Sequence, residues 1–195
     1  MNKTKFIVFE GIDGSGKSTL STMVLNSLIE RNFPIVKFNE PTNFETGMKI
    51  RKFLRKEISL SREEQIELFL ADRKDSLEKN VYPNLKAGNN VILDRYFYSM
   101  AAYQSNETIE PETILNMNLS RNYPIPDLII YLEINPEISL ARTKRRNANE
   151  HFENLETLKK VSLAYEKVIP KTALKLDATL SQAKLKELCI SHIIR

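Results

Sequence analysis

Five short runs of aliphatic, β-branched and aromatic residues punctuate the chain, and between them lie longer stretches in which apolar residues recur every three or four positions. The short runs predict strands at Phe6-Ile7-Val8-Phe9, Ile35-Val36-Lys37-Phe38, Val91-Ile92-Leu93, Leu128-Ile129-Ile130-Tyr131-Leu132 and Ala173-Leu174-Lys175-Leu176. The longer stretches predict helices over residues 17–31, 62–80, 99–105, 111–121, 136–146, 153–169 and 180–194. Asn135 followed by Pro136 reads as a helix cap and first helical residue. Strands alternating with helices imply βαβ units, so the predicted fold is α/β, a five-stranded parallel sheet covered by helices on both faces. No repeat, low-complexity tract or linker divides the chain, and a single domain over residues 1–195 is expected.

Composition narrows the picture. A chain of 195 residues with 42% hydrophobic and 28% charged residues can bury one substantial core. No apolar run approaches the roughly 20 residues that span a membrane, and Met1-Asn2-Lys3-Thr4-Lys5 leads straight into a strand, so a soluble, cytoplasmic protein without membrane contact is expected. The lone Cys189 cannot form an internal disulfide and reads as core packing; with two histidines besides, a His/Cys metal site is not expected. The net charge of +4 is small. Much of it lies in Arg142-Thr143-Lys144-Arg145-Arg146, which fits a small polyphosphate at least as well as a nucleic-acid polymer, and no nucleic-acid partner is expected.

The strongest chemical signal follows the first strand. Gly11-Ile12-Asp13-Gly14-Ser15-Gly16-Lys17-Ser18-Thr19 contains G-x-x-x-x-G-K-S between a strand and a helix, the setting in which this motif cradles phosphates. Glycines allow successive N–H groups to face phosphate oxygens, and the helix start adds its positive end. Lys17 reaches the β- and γ-phosphates of a nucleoside triphosphate, and the Ser18 hydroxyl is a ligand for Mg²⁺. Asp13 is either a solvated turn residue or a partner for a sugar hydroxyl of an acceptor.

In open parallel sheets ligands bind beyond the carboxyl ends of the strands. Asp94-Arg95 stands there: either the two form a neighbouring ion pair, or Asp94 holds a magnesium-bound water or orients the attacking oxygen while Arg95 binds an acceptor phosphate. Ser99, Tyr103 and Gln104 extend this edge toward a sugar and base, although a tyrosine on an apolar helix face is as often core. Arg73 shares a stripe with Ile66, Phe69, Leu70 and Leu77; it either snorkels to solvent or meets a ligand beside Phe69. Arg142 to Arg146 either complements a helix end or forms a flap that neutralises charge during phosphoryl transfer, with Asn147-Ala148-Asn149-Glu150 as its hinge.

In chain order, FEGIDGSGKST, EPT followed by Gly47 and Ile50-Arg51, FLADR, LDRYFYSMAAYQ, PDLIIYLEINPE, an arginine-rich segment ending in HFE, and LDAT resemble the motifs of the thymidylate kinase family of P-loop nucleoside-monophosphate kinases. The resemblance covers nearly the whole chain. It implies a three-layer P-loop NTPase fold, a homodimer, and magnesium-dependent transfer of phosphate from ATP to dTMP for dTTP synthesis. It implies that Asp13 contacts the deoxyribose 3′-hydroxyl, that Arg51 and Arg95 hold the acceptor phosphate, that Phe69 stacks on thymine, that Arg73 bonds its carbonyl and that Tyr103 selects deoxyribose. Pro41 falls in the acceptor-binding segment. Some relatives carry a loop arginine where this chain has Gly14, so the catalytic cation is assigned to Arg142, Arg145 and Arg146 of a lid at about 142–153, with Glu153 anchoring the lid or metal. Met100 and His151 stand where relatives often have a polar residue and an arginine. Other readings of the same loop are a kinase for a different nucleotide or nucleoside, a GTP switch, for which the N-K-x-D guanine motif is missing, and a non-catalytic nucleotide-binding module.

Overall fold

The computed structural model describes residues 4–146 and 154–195, with Arg146 described by its backbone alone. Five strands, β1 (Phe6–Glu10), β2 (Ile35–Asn39), β3 (Asn90–Asp94), β4 (Leu128–Glu133) and β5 (Leu174–Asp177), pair in parallel in the order β2-β3-β1-β4-β5. The inner strands explain the pattern that announced them. Every residue of β1 and β3 is buried, and a parallel strand covered on both faces has no solvent side to alternate with.

Helices α1 (Lys17–Ile29) and α9 (Gln182–Ile193) pack together, and α5 (Phe97–Gln104), α6 (Pro111–Leu119) and α8 (Leu155–Val168) form a second group. Helix α7 (Pro136–Arg146) starts as expected, the Asn135 side chain accepting from the Glu137 amide at 2.7 Å. No helix among the described residues is long and apolar enough to cross a membrane.

Two differences from the sequence expectations matter for the site. Helix α2 (Glu45–Leu54) was not predicted. Only Gly47 and Ile50 of it are buried, and it is held close by tertiary contact: a Cβ on Gly47 would lie 2.0 Å from the Thr42 carbonyl oxygen. The helix expected over 62–80 is α3 (Arg62–Ser76), which runs through a π turn at Leu77–Val81 into α4 (Tyr82–Lys86). A capping box of Ser61 and Glu64 starts α3.

In β3–β1 register, Asp94 stands opposite Phe9, so the turn after β3 emerges beside the loop after β1. That adjacency creates the site.

Candidate active site

The loop between β1 and α1 has the backbone its glycines permit. Gly14 and Gly16 adopt φ 81° and 93°, and a side chain on Gly14 would come within 2.5 Å of the Ser139 carbonyl oxygen. The Ser139 hydroxyl donates to the Asp13 carbonyl, docking the start of α7 on the loop. Helix α1 begins at Lys17, so Ser18 and Thr19 occupy its first turn. Lys17 is buried and folds back over the loop, its Nζ 3.3 Å from the Ile12 carbonyl oxygen and 3.4 Å from Asp13 Oδ1. Burial and the nearby Arg95 charge push the Lys17 pKa down, against the pull of Asp13.

One side of this loop opens on a cavity of about 370 Å³ lined by Ser15, Gly16, Thr19, Arg142 and Arg145. Arg142 donates to the Ala178 carbonyl oxygen at 3.1 Å, tying α7 to the segment after β5. The Arg146 side chain, Glu153, His151 and most of the expected lid lie outside the described residues.

The other side opens on a cavity of about 230 Å³ that gathers Asp13, Pro41, Phe69, Arg73, Arg95, Ser99, Tyr103 and Gln104, together with Glu40 and Met100. Arg51 stands apart from this lining. Its guanidinium donates to the carbonyl oxygens of Pro41, at 2.5 Å, and of Thr42. It therefore braces the segment that edges the cavity, and Asp72 grips that segment from α3 by accepting from the Thr42 amide at 2.9 Å and its hydroxyl at 2.6 Å.

Arg73 is 2% exposed, which removes the snorkelling reading. Its guanidinium is held by Asn118 Oδ1 at 2.7 Å and Glu40 Oε2 at 2.6 Å, above the Tyr96 ring at 5.1 Å. Burial pushes the Glu40 carboxyl up to about 7, against the pull of Arg73. Gln104 Oε1 accepts from Arg62 at 3.2 Å.

Arg95 sits in the left-handed region, φ 71°, at the turn after β3. Its charge partner is Asp13 of the phosphate loop rather than its neighbour Asp94, and it also donates to Ser99 Oγ at 3.0 Å. Burial disfavours ionised Asp13, but Arg95 and then Lys17 outweigh it and hold the carboxyl well below the usual range. Tyr103 lies under the Arg95 guanidinium at 5.0 Å and accepts from the Asp13 amide at 3.0 Å, so its hydroxyl faces the loop rather than the core.

Sequence reasoning missed Glu10, Glu40, Asn118 and Tyr165. Each is polar and buried, and the usable signal was Glu10 itself, an acid ending an otherwise apolar strand immediately before the glycine motif.

Comparison with known proteins agrees with this geometry. The family model described as Thymidylate kinase matches residues 9–188. A thymidylate kinase of Leptospira borgpetersenii is 50% identical over 100% of this chain and 96% of its own length. A thymidylate kinase of Leptospira interrogans is 51% identical, covering 96% of this chain and 93% of its own length. A probable thymidylate kinase of the archaeon Archaeoglobus fulgidus is 37% identical over 93% and 90%. With the phosphate loop, the strand-end arginine and the arginine-bearing second cavity all in place, the chain belongs to the thymidylate kinase family.

Proposed function

We propose that this protein transfers the γ-phosphate of ATP to dTMP, giving ADP and dTDP, as a cytoplasmic homodimer. The observation that carries this reading is the pair of cavities on either side of one loop, one touching Ser15 and Gly16, the other Asp13 and Arg95. Such an arrangement sets a donor triphosphate and an acceptor monophosphate head to head.

Phosphoryl transfer asks the protein for alignment and charge stabilisation more than for covalent chemistry. In this reading the amides of Gly11 to Thr19 and the Lys17 ammonium hold the donor phosphates. Arg95 holds the acceptor phosphate, Asp13 the sugar, and Phe69 with Arg73 the base. Arg142, Arg145 and Arg146 supply positive charge from the donor side.

Asp94 Oδ1 is buried without a hydrogen-bond partner, and it and the Ser18 hydroxyl are oxygen donors of the kind magnesium prefers. Among the described residues no group of three or more His, Cys, Asp or Glu could hold a metal ion. Ser18 and Asp94, with Glu153, would hold magnesium; when bound, it neutralises phosphate charge.

A coupled assay of ADP release across dTMP, dUMP, UMP and thymidine, with ATP and then GTP as donor, tests the reading. Preference for dTMP with ATP is expected; turnover of thymidine or UMP above dTMP, or ATP binding without transfer, would contradict it.

A further inference from the structure

The end of a central parallel strand is a costly place for a carboxylate, because a buried charge must find donors to replace water. Glu10 is fully buried at that place, opposite Tyr131 in the ladder and immediately before Gly11. Burial pushes its carboxyl upward, against the Ser99 hydroxyl, the Arg95 charge, the Tyr96 amide and the Tyr165 hydroxyl, and four donors meet the carboxylate directly. They are the amides of Tyr96 at 2.8 Å and Ser99 at 3.3 Å, the Ser99 hydroxyl, and the Tyr165 hydroxyl at 3.0 Å.

Three of these donors, from Tyr96 and Ser99, belong to the turn that carries Arg95 and the start of α5; the fourth, Tyr165, comes from α8. Tyr96 is the cap residue of α5 but makes no side-chain cap, and Glu10 satisfies the first-turn amides from the neighbouring strand. A non-glycine residue at positive φ persists only where its surroundings hold it. Arg95 is bracketed in this way, its own amide donating to the Phe9 carbonyl at 3.0 Å and the next amide to Glu10. The side chain is set through the same carboxylate. Because the Ser99 hydroxyl donates to Glu10, its oxygen is left to accept from Arg95 NH1 at 3.0 Å. The Tyr165 hydroxyl, with one proton to donate, lies 3.0 Å from Glu10, 2.7 Å from Ser99 Oγ and 3.3 Å from the Gly11 carbonyl oxygen, joining the arrangement to the phosphate loop.

We propose that Glu10 is a positioning residue for phosphoryl transfer: through the Tyr96 and Ser99 donors it fixes the backbone and guanidinium of Arg95 in register with the loop that holds the donor phosphates. The proposal rests on the reading that Arg95 binds the acceptor phosphate. Its action centres on that phosphate: Phe69 and Arg73 stand on α3, which holds none of the four Glu10 donors, and Tyr96, whose ring lies beneath Arg73, is tied to Glu10 by its backbone amide rather than by that ring.

Glu10→Gln keeps the volume but leaves one acceptor oxygen where two are used. With folding checked by circular dichroism, dTMP affinity should fall about tenfold, the scale of one charge-assisted hydrogen bond, and kcat by about ten- to a hundredfold. ATP and thymidine, which has no phosphate for Arg95, should bind within about twofold of wild type by calorimetry. A folded variant with unchanged dTMP binding and turnover, or with thymidine and ATP weakened as much as dTMP, overturns the proposal. In an Arg95→Ala background, Glu10→Gln should cost no further dTMP affinity, whereas additive losses overturn it. If Glu10→Gln fails to fold, Glu10→Asp draws the carboxylate back from the Tyr96 and Ser99 donors without changing the cavity lining: weaker dTMP binding with thymidine unchanged supports the proposal, and unchanged dTMP binding overturns it. Wild-type turnover of dTMP is measured first, so a failure of the kinase reading shows itself separately.

Discussion

Lys17 and Glu40 show how far single side chains in this site sit from their solution behaviour. Lys17 is buried, with a backbone carbonyl and Asp13 as its near contacts, so removing its ammonium takes away a preorganised donor that no neighbour replaces. Lys17→Ala should lower kcat at least ~100-fold, by analogy with the loss of other transition-state donors, and near-normal steady-state turnover would contradict its role. Glu40 yields a prediction of different sign from the usual carboxylate. Its folded pKa of about 7 lies above the ordinary 4.5, so as pH rises between these values the unfolded chain releases the proton first and the folded state loses stability. Glu40→Gln has no such slope. Denaturation curves from pH 4.5 to 7 should therefore show wild type losing stability relative to the variant, and parallel behaviour would mean that Glu40 ionises normally.

At the scale of elements, α2 is the part of the site most dependent on close approach. Alanine is the better helix former, yet the Cβ of Gly47→Ala would collide with the Thr42 carbonyl, whose segment borders the acceptor cavity. Overpacking should outweigh propensity, giving a net loss of about 1–3 kcal/mol in urea unfolding and a raised KM for dTMP. Unchanged stability would show that the segment can yield. The same helix marks where reading the sequence stopped. The strands were legible because parallel strands buried on both faces read as continuous apolar runs, and the phosphate loop because its spacing is itself a backbone requirement. Helix α2 is amphipathic, with Gly47 and Ile50 on its buried side, but it is short and largely exposed, and its periodicity was passed over. The π turn at Leu77–Val81 was hidden because Leu77 and Val81 keep a four-residue spacing that an unbroken helix would also show. At the site, most cavity-lining residues followed strand ends or shared a helix face and could be found; Glu10 was marked as an acid ending an apolar strand, but its role, like that of Asn118 and Glu40, could not be read, because a buried polar residue looks like any other until its partner is known. Those partners are remote in sequence, 155 residues away for the Glu10–Tyr165 bond and 45 for Asn118–Arg73.

For the molecule as a whole, the parallel sheet turns sequence distance into proximity, since β3 inserts between β2 and β1 and brings the Arg95 turn to the first loop. A ligand clasped by that loop, by α7 and by the segment after β5 connects both ends of the chain, and its binding energy should appear as global stability. At a hundred times its Kd, a non-hydrolysable ATP analogue with magnesium should add about 2.7 kcal/mol, raising Tm by roughly 5–10 °C for a chain of this size. Absence of a shift at saturation would deny the donor site. The link between Arg95 and Asp13 has a broader consequence. In the proposed function Arg95 and Lys17 meet phosphates, and two such cations would otherwise attract dissolved anions, whose displacement makes affinity fall steeply as ionic strength rises. Here a carboxylate of the protein already serves as their counter-ion. Substrate capture becomes an exchange between one internal anion and an arriving one, and the enzyme should keep its grip on nucleotide across a wide range of salt.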